Sequence, residues 1–272
     1  MKAPIRLVVS DIDGTLVRND KTLSQANRDA IRALEADGVA VTLISSRPPS
    51  GMLWLAGILG ITGPLGAFNG GTMVDPDGTI RFAHRLAAAD AATMLRLIGE
   101  YGVTPWVFAD GAWFTSDPGN RHGVRERRAS CLEPVLRSDF AELGARIDKI
   151  VAVSDDSEVL RRLETKAIAA IGPRATIARS QPYYLDITHP LANKGDGIAA
   201  LTKASGLDLT QVAALGDMTN DLPMFARAGL SVAMGQAPAE VKAVADATAA
   251  TNEEDGVADA IMRYVRPRID TP

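Results

Sequence analysis

The sequence has little of what several large classes of protein depend on. It contains one cysteine, Cys131, in 272 residues, which excludes an intramolecular disulfide framework. Its three histidines are scattered without ligand spacing, which argues against a zinc site. No apolar run reaches the ~20 residues of a membrane-spanning helix, because Gly, Pro and charged residues interrupt each candidate. Charge near the N-terminus precedes any apolar run of signal-peptide length, so we expect a cytoplasmic protein without membrane contact.

Charge of one sign is not in large excess either. The formal net charge is -4, which argues against a broad nucleic-acid surface and favours a small-molecule partner. A chain of 272 residues with 46% hydrophobic residues can bury a sizeable core. The length predicts one large domain or two modest ones, and the two-domain interpretation fits the patterns below better.

The first and last parts of the chain alternate short apolar runs with helical patterns. Apolar runs without polar alternation are typical of strands buried on both faces of a parallel sheet. The predicted strands are residues 5–10, 39–44, 212–215 and 230–233, and the predicted helices are residues 25–36, capped by Ser24, with 196–205 and 221–228. This order predicts an α/β fold with a Rossmann-like parallel sheet.

The middle of the chain follows a different pattern. After a predicted hairpin around Asp75-Pro76-Asp77-Gly78, helical stretches at residues 88–101 and 157–171 are separated by short strands such as residues 106–109 and 150–153. This pattern indicates an inserted α+β domain. We therefore predict a core made of residues 1–82 and 189–272, and an inserted domain made of residues 83–188.

Two carboxylate pairs follow predicted core strands. Asp11 and Asp13 stand in the segment DIDGTL, and Asp217 and Asp221 stand in GDMTND. Both segments leave the carboxyl end of a strand, where open α/β sheets place their ligands. Taken alone, the first segment is compatible with an Asx-type turn, and Asn220 or Asp221 with a helix N-cap.

Two further segments have a chemistry that suits an anion. Ser45-Ser46-Arg47 follows a predicted strand, where a hydroxyl and free backbone N–H groups can receive a phosphate oxygen. Lys194 stands at the start of a helix, where its charge opposes the helix dipole unless an anion is nearby. Each segment alone is compatible with ordinary loop or surface residues. The specific feature is the order along the chain: carboxylate pair, hydroxyl, lysine, carboxylate pair.

This order of motifs resembles the haloacid dehalogenase superfamily. The run GDMTNDLPMFARAGLSVAMGQAPAEVKAVAD, with the later NEEDGV, is similar to its Cof-type branch, subfamily IIB. The layout covers nearly the whole chain, and the insertion matches the large cap domain of that branch. Many relatives have Thr-Gly-Arg in place of Ser45-Ser46-Arg47, and Asn in place of Gln236. The geometry of the phosphate loop is therefore the part that the resemblance predicts least.

The resemblance implies a role for each motif residue. Asp11 corresponds to the nucleophile that attacks phosphorus, and Asp13 to the general acid and base. The implied cofactor is Mg²⁺, with Asp11, the backbone carbonyl of Asp13 and Asp217 as ligands and Asp221 in support. The implied phosphate-binding residues are Ser45, Ser46, Arg47, Lys194 and Asn220.

The implied activity is magnesium-dependent hydrolysis of small phosphomonoesters, such as sugar phosphates or related metabolites, through an aspartyl-phosphate on Asp11. A phosphomutase of the same superfamily is the nearest alternative, because it can share the motifs and the cap. A dehalogenase is less consistent with retention of Asp13, Asp217 and Asp221. A non-catalytic phosphate-binding module is disfavoured because every expected chemical position is filled. The cap is expected to contact the leaving group and to govern substrate choice.

Overall fold

The computed structural model describes residues 3–269. The strands in this range, in chain order, are β1 Leu7–Ser10, β2 Ala40–Leu43, β3 Leu65–Ala67, β4 Thr72–Val74, β5 Ile80–Ala83, β6 Thr104–Ala109, β7 Ala112–Thr115, β8 Pro134–Leu136, β9 Ile147–Val153, β10 Thr176–Gln181, β11 Tyr184–Thr188, β12 Val212–Gly216, β13 Leu230–Ala233 and β14 Ala247–Thr248.

The α-helices of the same range connect these strands. They are α1 Gln25–Ala36, α2 Ser50–Leu59, α3 Ala88–Glu100, α4 Gly123–Ser130, α5 Ser157–Ile171, α6 Lys194–Ala204, α7 Leu222–Phe225, α8 Ala239–Val244 and α9 Gly256–Ala260. Within residues 3–269, none of the helices combines the length and the apolar character that crossing a membrane requires.

Five parallel strands form the core sheet in the order β14-β13-β12-β1-β2. Strand β1 lies in the middle, with Leu7 level with Val212 on one side and with Ala40 on the other. Strands β1, β12 and β13 are buried along their whole length, as continuous apolar runs require. The predicted α/β fold with a Rossmann-like sheet is confirmed. Because all five strands point the same way, their carboxyl ends share one edge.

Local capping explains where the core helices begin. The Ser24 hydroxyl accepts a hydrogen bond from the Asn27 N–H at 3.2 Å, so α1 starts as predicted. Helix α6 starts at Lys194, two residues before the predicted start, because the Asn193 side chain accepts from the Asp196 N–H at 2.9 Å. The helix predicted for residues 221–228 is much shorter, since the chain turns after Phe225 to enter β13.

A second sheet of six strands has the order β10-β11-β9-β6-β7-β8. Its neighbouring strands are antiparallel except for the parallel pair β7 and β8. One face packs on α3 and α5 through a separate apolar cluster that includes Met94, Ile150 and Leu163. Helix α5 has the predicted bounds, and Asp156 caps it by accepting two backbone N–H groups.

The other face of the second sheet packs toward the core. Trp106, Phe108 and Trp113 belong to the same buried apolar cluster as residues of the core sheet and its helices. The rings of Phe68 and Phe108 lie 5.9 Å apart between centroids, at an angle of 59°. This shared cluster holds the second sheet over the core sheet.

Strands β3, β4 and β5 form a small antiparallel sheet. Along the chain they follow β2 of the core sheet and precede β6 of the second sheet. The turn between β4 and β5 is closed by the Gly78 N–H, which donates to the Asp75 carbonyl at 2.8 Å. Gly78 has φ of +89°, a conformation that glycine adopts without strain. The hairpin predicted around Asp75-Pro76-Asp77-Gly78 is confirmed.

Candidate active site

Three buried carboxylates meet where β1 and β12 end. Ser10 is level with Leu215, so Asp11 and Asp217 leave the sheet side by side. Asp11, Asp217 and Asp221 are all buried, and one carboxylate oxygen from each lies within 4.8 Å of the others. Two segments separated by about 200 residues in the chain thus form one acidic cluster.

Two glycines allow this close approach. A Cβ on Gly14 would lie 2.4 Å from an oxygen of Asp217, and Gly14 has φ of +84°. A Cβ on Gly216 would lie 2.5 Å from the carboxyl carbon of Asp221. Neither position can hold a side chain unless the neighbouring carboxylate moves. These glycines therefore set how tightly the cluster packs.

Lys194 supplies one positive charge inside the cluster. Its ammonium group donates to Asp11 Oδ1 at 2.6 Å and to Asp221 Oδ1 at 2.5 Å, and the side chain is 1% exposed. The other oxygen of Asp221 accepts the backbone N–H groups of Asp217 and Met218 at 2.8 and 2.9 Å. Asp221 thereby fixes the turn after β12 as well as the lysine.

The charge balance of the cluster is uneven, because three carboxylates face one ammonium. Burial raises the pKa of Asp11, with Lys194 opposing and Asp221 adding to the rise. Burial also raises the pKa of Asp217, and the charges of Asp11 and Asp221 raise it further. Burial would lower the pKa of Lys194, but Asp11 and Asp221 outweigh it and keep the ammonium charged. The cluster therefore favours an additional cation.

The raised carboxyl pKa values predict how stability depends on pH when no cation is bound. The folded protein holds these protons at pH values where the unfolded chain has released them. Their contribution to stability is complete below about pH 4 and is lost as pH rises through the folded-state pKa values. We expect Asp217→Asn, which cannot ionise, to raise Tm in EDTA more at pH 8 than at pH 5. Each kcal/mol corresponds to about 2–4 °C for a chain of this size.

Differential scanning fluorimetry at both pH values measures this effect. The matched control is Asp29→Asn, because Asp29 is exposed on α1 and accepts a hydrogen bond from the side chain of Gln25. The control should shift Tm equally little at pH 5 and pH 8. A Tm of Asp217→Asn that fell below that of the wild type at pH 8 would contradict the expected sign.

Asp13 is paired with two cations. Arg47 forms a bidentate pair with it, Nε to Oδ2 at 2.7 Å and Nη2 to Oδ1 at 2.8 Å. Lys21 donates to the same Oδ1 at 2.5 Å. Arg47 is itself buried and also donates to the Gly51 carbonyl at 3.0 Å. The guanidinium of Arg47 thus contacts the carboxylate of Asp13 directly.

This pairing controls the protonation of Asp13. Burial would raise the pKa of its carboxyl, but the hydrogen bond and charge of Arg47, together with Lys21, hold that pKa well below its usual range. Asp13 is therefore an ionised carboxylate in this arrangement. It can accept a proton only where its contacts with Arg47 and Lys21 loosen.

The other residues expected to hold phosphate lie around the same edge. Ser45 is buried, and its hydroxyl accepts the Arg47 N–H at 3.3 Å. The Ser46 carbonyl accepts a hydrogen bond from Lys149 of β9 at 3.4 Å. Asn220 donates to the side-chain oxygen of Asn69 at 3.4 Å. The structure thus brings every residue of the expected set to one edge of the core sheet.

Sequence reasoning missed three residues of this site. The Thr15 hydroxyl donates to Asp217 at 3.1 Å, Lys21 contacts Asp13, and Asn69 contacts Asn220. Thr15 lies within the DIDGTL segment, which was a usable signal. Lys21 lies in a loop without any pattern, and Asn69-Gly70-Gly71 indicated only a turn. Asn69 has φ of +59°, a conformation that asparagine tolerates better than most residues.

A parallel α/β sheet with a buried acidic cluster and a buried lysine at its carboxyl edge is typical of an α/β enzyme whose site lies at the ends of the strands. The particular family follows from comparison with known proteins. The chain belongs to the haloacid dehalogenase-like hydrolase family, whose model matches residues 8–261. The resemblance to this superfamily drawn from the motifs is confirmed, and so is the expectation of a hydrolase.

Individual relatives extend over nearly the whole chain. The 5-amino-6-(5-phospho-D-ribitylamino)uracil phosphatase YcsE of Bacillus subtilis is 30% identical over 267 residues, which cover 96% of each protein. A haloacid dehalogenase-like hydrolase from Bacteroides thetaiotaomicron has a solved structure that is 27% identical, with a TM-score of 0.85 over 95% of this chain and 99% of that one. The subclass IIB sugar phosphatase BT4131 is 21% identical and shares the fold, with a TM-score of 0.80 over 95% of this chain and 98% of its own.

Proposed function

We propose that the protein is a magnesium-dependent phosphatase that hydrolyses small phosphomonoesters through an aspartyl-phosphate on Asp11. The main observation is the position of Asp11, buried at the carboxyl edge of the sheet with Lys194 at 2.6 Å and two further carboxylates beside it. The relationship to a phosphatase of B. subtilis at 30% identity supports the same activity class. Sugar phosphates or related metabolites are the proposed substrates.

The proposed reaction has two steps. First, an oxygen of Asp11 forms a bond to phosphorus while the bond from phosphorus to the leaving oxygen breaks, and Asp13 gives that oxygen a proton. Second, water gives a proton to Asp13 and attacks phosphorus, which releases phosphate and frees Asp11. Because Arg47 and Lys21 favour the ionised form of Asp13, its first proton requires those contacts to loosen when substrate binds.

Positive charge and hydrogen-bond donors around Asp11 would hold the transferring phosphoryl group. Lys194 offsets the charge that builds on the phosphoryl oxygens. Ser45 offers a hydroxyl, the loop at Ser46 and Arg47 lies beside it, and Asn220, which contacts Asn69, offers an amide. Positioning and charge stabilisation dominate phosphoryl transfer, so these residues would matter as much as the nucleophile.

The carboxylate cluster fits a divalent cation. Asp11, Asp217 and Asp221 provide hard oxygen donors, which Mg²⁺ prefers, and their charge exceeds that of Lys194. The backbone carbonyl of Asp13 is a further proposed ligand. When bound, Mg²⁺ would reduce the repulsion between these carboxylates and an incoming phosphate.

Removal of metal should stop the reaction. We expect EDTA to abolish phosphate release from p-nitrophenyl phosphate and added Mg²⁺ to restore it. Asp217→Ala should raise the Mg²⁺ concentration for half-maximal rate by at least about 10–100-fold, the loss usual for a residue that only supports a metal ligand. Asp29→Ala on α1 is the matched control and should leave that concentration unchanged. Full activity in rigorously metal-free buffer would contradict the proposed set of metal ligands.

We also propose that residues 83–188 act as a cap over the site, with residues 1–82 and 189–272 as the catalytic core. The second sheet supports this, since its strands lie between residues 104 and 188 and one of its faces packs toward the core.

Product analysis separates hydrolysis from the phosphomutase alternative. Free phosphate is the expected product, and an isomeric phosphate ester without free phosphate would favour the mutase.

A further inference from the structure

A cavity of about 330 Å³ lies apart from the residues of the proposed reaction. Its lining includes neither Asp13, nor the carboxylate cluster, nor residues 45–47. The lining comes from the start of α2, from strands β4 and β5, from β9 and from the turn between β6 and β7. Ligand pockets have volumes of about 300–1,000 Å³, so this cavity has room for one small molecule. Such a molecule would contact the core and the second sheet together.

A β-bulge in the second sheet places Asp148 at this cavity. Where β6 pairs with β9, Phe108 is level with Lys149, but its neighbour Ala109 is level with Ile147. Asp148 is therefore an extra residue on β9 without a partner on β6. Side chains of a regular strand alternate between the two faces of the sheet, and a bulge changes the direction of the extra side chain. This carboxylate lines the cavity as a result.

The carboxylate of Asp148 is buried and incompletely paired. Its side chain is 9% exposed, and its Oδ1 accepts a hydrogen bond from Arg85 Nε at 3.1 Å. No described residue donates to its Oδ2. Burial raises the pKa of Asp148, while Arg85 opposes the rise and the charge of Asp110 adds to it. A cation beside Oδ2 would therefore stabilise the ionised carboxylate.

The other charged groups near the cavity are in contact with water. Arg85 and Asp110 line it, and Arg146 pairs with Asp110. The two guanidinium groups and the two carboxylates balance in number. However, the side chains of Arg85, Asp110 and Arg146 are each at least 40% exposed, so water screens their charges much more than that of Asp148. The buried charge that a ligand would meet is therefore negative.

The rest of the lining is mainly apolar and partly aromatic. Phe68 and Phe108 both line the cavity, together with Pro49 and Leu132. Aromatic rings are favourable neighbours for another ring and for an ammonium group. Ile80 also lines the cavity and is 46% exposed, so a bound molecule would remove apolar surface from water. These walls fit a ligand with an apolar body.

We propose that this cavity binds a small organic cation, with its ammonium group beside Asp148 and an apolar body of about one ring against Phe68 and Phe108. The proposed ligand is distinct from the substrate, because none of the residues of the proposed reaction lines the cavity. The proposal does not depend on the proposed function, since binding can be measured without turnover.

Three probes with one phenyl ring each test the proposal by isothermal titration calorimetry of the full chain at pH 8. The probes are 2-phenylethylamine, which carries an ammonium group, 2-phenylethanol, which is neutral, and 3-phenylpropionate, which carries a carboxylate. We expect the Kd of the amine to be lower than that of either other probe by about tenfold or more, which corresponds to about 1.4 kcal/mol. Equal Kd values for the amine and the alcohol, or no binding of the amine, would overturn the proposal.

The acidic cluster at Asp11, Asp217 and Asp221 is a second place where a cation could bind. Titration in excess Mg²⁺ distinguishes the two sites, because Mg²⁺ prefers the several carboxylate oxygens of the cluster. We expect the Kd of the amine to be the same with and without Mg²⁺. Displacement of the amine by Mg²⁺ would assign its binding to the cluster and overturn the proposal.

Asp148→Asn removes the charge and keeps an oxygen for the hydrogen bond from Arg85. We expect the Kd values of the amine and the alcohol to become equal to within about twofold in this variant. The matched control is Asp29→Asn on α1, where the aspartate is exposed, and it should keep the ratio of the wild type. A preference for the amine that was unchanged in Asp148→Asn would refute the role of this carboxylate.

Ile80→Lys tests the site without altering a buried group. The new ammonium would repel the probe, and we expect the Kd of the amine to rise by about two- to fivefold, the scale of an exposed charge interaction. Val244→Lys is the matched control, since Val244 is 56% exposed on α8 and does not line the cavity. Equal Kd values of the amine for the two lysine variants would place the amine elsewhere and overturn the proposal.

Discussion

Asp11→Asn abolishes turnover in the mechanism proposed above while leaving the fold intact. The amide has the size of the carboxylate, and its oxygen can still accept the hydrogen bond from Lys194. It has no negative charge with which to attack phosphorus, so the aspartyl-phosphate cannot form. The catalytic residues act as a unit, so that loss of the nucleophile alone removes most of their joint effect. We therefore expect kcat to fall at least about 10⁴-fold.

Phosphate release from p-nitrophenyl phosphate measures this loss, and circular dichroism together with Tm verifies the fold. Asp29→Asn is the control, since it makes the same chemical change at an exposed position on α1. The wild type, quenched in acid during turnover, should contain covalently bound phosphate that Asp11→Asn lacks. A folded Asp11→Asn protein with a kcat near that of the wild type would exclude covalent catalysis by this residue.

Asp13→Asn should reduce the rate by about 10²–10⁴-fold, the usual contribution of a general acid and base. The amide cannot give a proton to the leaving oxygen or take one from water. The loss should be greater for an alkyl phosphate than for p-nitrophenyl phosphate, because nitrophenolate leaves without a proton. Steady-state rates with both esters provide the comparison.

The same variant also separates catalysis from structure. Asparagine keeps one oxygen for Arg47 and Lys21, but it removes the charge that both cations contact. A loss that was equal for the two leaving groups would indicate that Asp13 only positions Arg47. Unchanged rates with the alkyl ester would exclude the acid role altogether.

Elements with a strong local signal could be predicted from the sequence. Helix α5 has an apolar stripe and a capping aspartate, so both of its ends agreed with the prediction. Strand β13 is a continuous buried apolar run and also agreed. By contrast, β10 contains Arg179, Ser180 and Gln181 and is only partly buried, so its identity depends on pairing with β11. A strand of this kind shows no periodic pattern in its own sequence, because pairing with residues elsewhere in the chain decides that it forms.

The candidate site divides in the same way. Asp11, Asp217 and Lys194 belong to segments whose residue types and order are specific, and the structure places them in contact. Lys21 and Tyr184 gave no signal, because Lys21 lies in a loop and Tyr184 on strand β11 of the second sheet. Lys21 reaches Asp13 within one segment of the core, eight residues along the chain. Tyr184 lines a cavity together with Asp13, and this depends on how the second sheet lies over the first. That arrangement cannot be derived from local sequence patterns.

The aromatic contact between Phe68, just after β3, and Phe108 of the second sheet connects the site to temperature. Phe68 and Phe108 belong to one apolar cluster, so any movement that separated the sheets would expose aromatic surface to water. Exposure of apolar surface raises the heat capacity, and the hydrophobic effect weakens on cooling. Cold would therefore favour the separated arrangement, and warmth the one in which Lys149 of β9 contacts the Ser46 carbonyl.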